Sequence, residues 1–190
     1  MVSIGQTFDV VFICTGNRFR SALAAGVLRR AAGDADLAVR SFGTLKLEPG
    51  PALPEAVEFA RAHGVDLSDH RCRSLAGEHL RDADLVVGFE LIHAATAVLE
   101  ADAPRDRAFL LAEIVAYLDQ LPSTADGTAE GARRAVEAAA ALRRERRLEV
   151  AEEIEDPLGR PTKAQTLIAA DVAARTSRLA RLLFGEEQRT

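Results

Sequence analysis

Cys14 and Arg20 are separated by five residues in the segment C-T-G-N-R-F-R-S, residues 14–21. A thiolate is a strong biological nucleophile, and a guanidinium grips an oxyanion with two parallel hydrogen bonds. Five intervening residues can curl into a ring whose peptide N–H groups point inward, and a tetrahedral oxyanion fits such a nest. Gly16 and Asn17 suit that ring because both tolerate left-handed backbone angles. Ser21 can donate a hydrogen bond to a thiolate at Cys14 and ease its later departure as a leaving group. As a bare pattern, Cys and Arg at this spacing are equally compatible with a buried, inert thiol and a solvent-facing arginine. The elements on either side decide between the two.

Residues 9–14, D-V-V-F-I-C, form a continuous apolar, β-branched run of the kind buried on both faces of a parallel sheet. S-A-L-A-A-G-V-L-R-R-A-A follows directly and reads as a helix stopped by Gly33, with Ala22, Val27, Leu28 and Ala31 sharing a face. The 14–21 segment therefore joins a strand's carboxyl end to a helix's amino end. That junction is where parallel α/β sheets bind ligands, and the helix adds free amides and the positive end of its dipole. Further strands are expected at 37–42, 83–89 and 108–111, and helices at 56–62, at about 90–100 and from Thr162, which can cap the last one. Alternating strands and helices predict an α/β fold, a three-layer sandwich around a short parallel sheet of about four strands.

Residues 123–131, S-T-A-D-G-T-A-E-G, read as a turn-rich linker. Residues 132–153 have high helix propensity but a thin apolar stripe, with Arg133, Arg134, Arg143, Arg144, Arg146 and Arg147 ahead of Glu149, Glu152, Glu153, Glu155 and Asp156. Two readings stand for this helix: a solvated surface element, or a lid or partner-docking helix beside the site.

The 190 residues suffice for one globular domain spanning the chain, and 48% hydrophobic with 28% charged residues places it in the globular range. A net charge of −5 gives no general affinity for nucleic acid or anionic membrane, and no apolar run approaches the ~18 residues of a membrane span. No signal peptide is read at the start of the chain. Cys14 and Cys72 are too few for a disulfide framework, so a reducing cytoplasm is the expected compartment. The oligomeric state is not legible.

The chain resembles the low-molecular-weight protein tyrosine phosphatases, whose signature is C-x5-R-S with D-P far downstream. Ser41-Phe42-Gly43-Thr44 is similar to that family's S-x-G-T, residues 51–73 are similar throughout to its corresponding helix and loop, and Glu155-Asp156-Pro157-Leu158-Gly159 resembles its acid loop. Residues 119–150 have no counterpart and read as a helical insertion. The resemblance implies that Cys14 attacks phosphorus to form a cysteinyl-phosphate. Thr15, Gly16, Asn17, Arg18, Phe19 and Arg20 would bind the phosphate, and Asp156 would serve as general acid. Asn17, Ser21, Ser41 and His70 would hold the loop in shape. It implies no metal and no organic cofactor, and as substrate a phosphorylated protein or small phosphoester. If the glutamates before Asp156 crowd it, like charge would favour its protonated form.

The sequence also departs from the family pattern. Phe19 replaces a second loop cysteine, Arg18 an apolar residue, and Ala22 a proline. Arg18 at the mouth would favour anionic or polar ligands, or else simply face solvent. Cys72 reads as a structural thiol, with redox pairing to Cys14 as the minority alternative. The chain has no Trp, one Tyr and eight Phe, and the family's aromatic cleft walls are missing after Thr44 and after Pro157, which weakens the expectation of phosphotyrosine preference. Two other functions compete with phosphomonoester hydrolysis: thiol-dependent arsenate reduction, and non-catalytic phosphate binding or regulation.

Overall fold

The computed structural model describes residues 7–146 and 152–185. Four strands, β1 (Phe8–Cys14), β2 (Leu37–Gly43), β3 (Leu85–Gly88) and β4 (Ala108–Leu110), form one sheet in the order β2-β1-β3-β4 with every pair parallel. Six α-helices connect or follow them among the described residues: α1 (Arg20–Ala31), α2 (Pro54–Ala62), α3 (Leu91–Glu100), α4 (Leu111–Leu118), α5 (Ala129–Glu145) and α6 (Thr162–Phe184).

The two-residue period of a strand sorts β1 into two cores. Phe8, Val10, Phe12 and Cys14 join the larger cluster with α1, α2, α4, α5 and α6, whereas Val11 and Ile13 join Val86, Phe42 and the α3 residue Ala97 on the other face. This is the three-layer α/β arrangement expected from the sequence. Strand order reverses direction at β1: β2 lies on one side and β3 on the other, so a crevice opens between the carboxyl ends of β1 and β3. The 14–20 loop and the β3–α3 junction face each other there.

Three expectations need correction. First, over its described residues the helix expected at 132–153 is a core element, not a solvated one or a lid. α5 begins at Ala129, capped by the Thr128 hydroxyl on the Gly131 amide at 3.0 Å, and Ala132, Ala135, Val136, Ala139 and Ala140 are buried in the main core. Alanine scores weakly on any hydrophobicity scale, but its small side chain lets a helix approach its neighbours closely. A thin apolar stripe thereby becomes a packing face against α4, α6 and β1. The arginines serve the same end. Arg133 reaches Asp84 at 2.9 Å and the Thr7 carbonyl at 2.7 Å, at the amino-terminal end of the two central strands, opposite the end that carries Cys14. Arg143 lies over the Phe109 ring, 3.8 Å from its centroid, and donates to the Ala108 carbonyl.

Second, Glu152 and Glu153, the end of that expected helix, are not helical, while Arg147 and Glu149 lie outside the described residues. Third, Thr162 is the first residue of α6, with Pro161 at the cap position. The sequence reading also passed over α4, a short and mostly hydrophobic helix in which Leu111, Ile114, Val115 and Leu118 recur at helical spacing. Its start is marked by Glu113, which accepts the Leu110 amide at 3.1 Å.

If α5 is core, Ala139→Glu should destabilise the protein by about 3 kcal/mol or more, through an unpaired charge driven into a packed face. Glu137→Ala, on the exposed side of the same helix, should stay within about 0.5 kcal/mol. Urea unfolding measures both, and equal tolerance at the two positions would return α5 to the surface.

Candidate active site

The loop after β1 turns its carbonyls outward. The Cys14 and Thr15 carbonyls accept the amides of Thr44 (2.9 Å) and Leu45 (3.0 Å), Asn17 O accepts His70 Nε2 (2.6 Å), Arg18 O the Leu53 amide (2.8 Å), and Phe19 O the Leu23 amide (2.9 Å). In a trans peptide the N–H of the next residue points the opposite way. The amides of Thr15, Gly16, Arg18, Phe19 and Arg20 are thereby aimed into the ring, and none has a protein acceptor among the described residues. The remaining loop amide, Asn17 N, donates to Cys14 Sγ at 3.3 Å. The ring is an anion nest with a sulfur in it.

Asn17 holds the ring in shape. It is fully buried, at φ 52°. Its Nδ2 donates to Ser21 Oγ and Ser41 Oγ, both at 2.9 Å, and its Oδ1 accepts the Arg73 amide at 2.8 Å. With its main-chain groups bonded to Cys14 and His70, every polar group of Asn17 has a partner. Because Ser21 Oγ accepts from Asn17, its own proton is free for Cys14 Sγ, 3.0 Å away. Gly43 at the end of β2 is required for close approach: a Cβ there would sit 2.9 Å from Gly16 C and Thr15 O. The four residues expected to support the loop, Asn17, Ser21, Ser41 and His70, thus come together in one network.

Arg20 is 1% exposed and lies between two carboxylates. Nη1 donates to Glu90 Oε2 and the Ile154 carbonyl, both at 2.7 Å; Nη2 donates to Asp156 Oδ2 at 2.7 Å and Thr15 Oγ1 at 3.1 Å. Asp156, 136 positions away in sequence, is therefore in direct contact with the loop's arginine. The glutamates near it do not crowd it without partners: Glu152 pairs with Arg175, Glu155 with Arg160, and Glu153 accepts the Leu91 amide.

The remaining loop residues divide. Phe19 contributes its amide to the ring, but its side chain is buried in the core. Arg18 turns sideways, its Nε donating to the Pro51 carbonyl at 2.8 Å. Cys72 is a free, buried thiol bonded to Glu48 O (3.4 Å) and Gly50 N (3.3 Å), a structural tie in the loop before α2.

Sequence reasoning missed Glu90, His93 and Arg73. The signal for the first two was Glu-x-x-His directly after a buried strand, at the carboxyl end where ligands bind. His93 is fully buried; its Nδ1 accepts the amides of Glu90 (3.0 Å) and Phe89 (3.4 Å), and its Nε2 lies 3.1 Å from Thr15 Oγ1.

Burial, helped by the nearby Arg20 charge, lowers the His93 pKa to about 4. Burial also lowers that of His70. An unfolded histidine takes its proton near pH 6.5, so the unfolded chain binds protons first as pH falls. The stability contributed by keeping His93 neutral is complete above ~6.5, declines as pH drops, and is exhausted near 4; the span corresponds to at most about 3 kcal/mol. Denaturant unfolding at pH 7, 5.5 and 4.5 should show His93→Asn losing less stability on acidification than the wild type. Parallel profiles would refute this.

The low molecular weight phosphotyrosine protein phosphatase model matches residues 9–123. The probable low molecular weight protein-tyrosine-phosphatase EpsP of Ralstonia solanacearum is 38% identical over 78 residues, 41% of this chain and 52% of that protein, so this match spans about half the relative's length. A protein-arginine-phosphatase of Bacillus subtilis is 33% identical over 109 residues, 56% of this chain and 72% of that protein. Among solved structures, the low molecular weight protein tyrosine phosphatase from T. tengcongensis superposes with a TM-score of 0.66 at 28% identity, over 91% of this chain and 97% of that one. The nest, its asparagine brace and these matches agree: the chain belongs to the low molecular weight phosphotyrosine protein phosphatase family.

Proposed function

We propose that the protein is a cysteine-dependent phosphomonoesterase. Cys14 Sγ attacks phosphorus, the P–O bond to the leaving group breaks, and Asp156 gives that oxygen its proton. Water then attacks the cysteinyl-phosphate, deprotonated by Asp156, and releases phosphate and the thiolate. The equatorial oxygens are received by the loop amides, which are in place before the reaction, and by Arg20 once Asp156 turns to the leaving group. The observation that carries this reading is the set of outward carbonyls around a hydrogen-bonded sulfur, with Arg20 touching Asp156.

The substrate class we assign is a phosphorylated protein or a small phosphoester. Leu45 and Leu47, 50% and 42% exposed, follow the Thr44 turn beside the nest, and Leu158, 70% exposed, follows the acid. These are aliphatic where an aromatic substrate would gain from ring walls, so phosphotyrosine has no evident advantage. We place the protein in the cytoplasm, where a nucleophilic thiol stays reduced. Arsenate reduction is the weaker alternative, because Cys72 is engaged by Glu48 and Gly50 and an external thiol would have to complete the cycle.

Hydrolysis of p-nitrophenyl phosphate should be abolished by Cys14→Ser and reduced about 10²–10³-fold by Asp156→Asn. Tight phosphate binding without turnover in the wild type would instead identify a non-catalytic binder. Arsenate-dependent thiol oxidation in place of phosphate release would identify a reductase.

A further inference from the structure

The four Nη hydrogens of Arg20 are shared among Glu90, Ile154 O, Asp156 and Thr15. Two of these partners stay put whatever happens in the cleft: Ile154 O is main chain, and Glu90 precedes α3. Asp156 cannot. A carboxyl group that is to reach the leaving oxygen must let go of the guanidinium, and an incoming phosphoryl group competes with it for Arg20. When Asp156 turns to the leaving group, Thr15 is the one remaining partner of Nη2 among the described residues.

A threonine hydroxyl is normally a free rotor and a weak anchor. Here it is not free. His93 is fully buried, and its Nδ1 accepts from two main-chain amides, so the ring proton sits on Nε2. Nε2–H has Thr15 Oγ1 at 3.1 Å and, farther off, Glu90 Oε2 at 3.5 Å. Thr15 Oγ1 therefore accepts from the imidazole and from the guanidinium at once. With both lone pairs occupied, the oxygen is fixed by a residue that is itself fixed by backbone.

We propose that His93 and Thr15 are positioning residues for Arg20, a brace that keeps the guanidinium in its transition-state orientation while Asp156 is released to the leaving group. The brace rests on the phosphatase reading. It acts where the geometry around phosphorus changes, because an arginine free to tilt can follow a tetrahedral ground state but loses register with a trigonal bipyramid.

Vanadate, which forms a five-coordinate adduct on a thiolate, and inorganic phosphate, which does not, separate these states. Thr15→Val keeps the shape and removes the hydroxyl. It should weaken vanadate inhibition about tenfold or more while changing phosphate inhibition by no more than ~2–3-fold, with a matching fall in kcat rather than a rise in KM. Thr15→Ser should restore both. His93→Asn retains an acceptor for the Glu90 amide but cannot reach Thr15; it should reproduce the loss in the wild-type background and add less than ~2-fold to Thr15→Val. A vanadate-to-phosphate ratio unaltered by Thr15→Val, or losses that multiply in the double variant, would overturn the brace. Imidazole ¹⁵N shifts give a check independent of turnover: His93 must carry its proton on Nε2, and a protonated Nδ1 ends the proposal. A wild type that neither hydrolyses p-nitrophenyl phosphate nor binds vanadate would sink the phosphatase reading itself, whereas an active wild type with an unaltered ratio sinks the brace alone.

Discussion

The structure depends on one constraint: the peptide planes between Cys14 and Arg20 must face the same way. Inward amides exist only because five carbonyls are held outward, four by groups from distant parts of the chain (the turn after β2, the segment before α2 and His70) and the fifth, Phe19 O, by the first turn of α1. Each outward bond is ordinary, worth about 1 kcal/mol net. Their joint effect is to store unpaired donors in a ring, which no single local preference of the sequence would do. Asn17 is the residue that makes this affordable, since it accepts a left-handed angle and leaves none of its own polar groups buried without a partner.

The charge balance around Arg20 shows why the amides matter. One guanidinium faces two carboxylates, Glu90 and Asp156, both at 2.7 Å. The net field of that triad does not favour another anion. What attracts an anion to Cys14 must come from the peptide ring and the amino end of α1, whose dipoles carry no counter-charge of their own. Arg20 then contributes shape more than net charge: a planar fork held by Glu90 and Ile154 on one nitrogen and exchangeable on the other. The neutrality of His93 comes first from its burial, with the nearby Arg20 charge as a secondary cause that Asp156 and Glu153 partly offset.

Much of this could be read from the residues. The apolar run ending in Cys14 marked the central strand, and the run after Arg20 marked the helix; Gly16-Asn17 between them announced an unusual backbone, though the left-handed angle falls on Asn17 and not on Gly16. Ser41 and Gly43 were visible as a pattern, but their reason was not. Only the packed structure shows that Gly43 is small because the loop's main chain passes against it. Glu90 and His93 were hidden because a glutamate and a histidine at a helix start are common. Their meaning comes from Arg20, 70 positions away from Glu90 in sequence. α5 was misjudged for a different reason. Hydrophobicity scales rank transfer free energy, and a helix of alanines packs by closeness of approach.

That misjudged helix bears on the site. Residues 152–156 approach the nest as an extended segment, with the Ile154 amide on Phe89 O at 2.8 Å, the Ile154 carbonyl on Arg20 at 2.7 Å and Glu153 on the Leu91 amide at 2.7 Å. The segment is thus docked on the end of β3 by its own backbone, and Asp156 inherits its position from that docking. α5 is clamped to the sheet through Asp84 and Phe109, which holds its end at Glu145 against the core. A core helix upstream and main-chain bonds downstream define the two ends of the connection. The candidate acid can therefore be separated from its nucleophile by more than a hundred residues and still meet the same arginine, because neither end of its approach is carried by a loose loop.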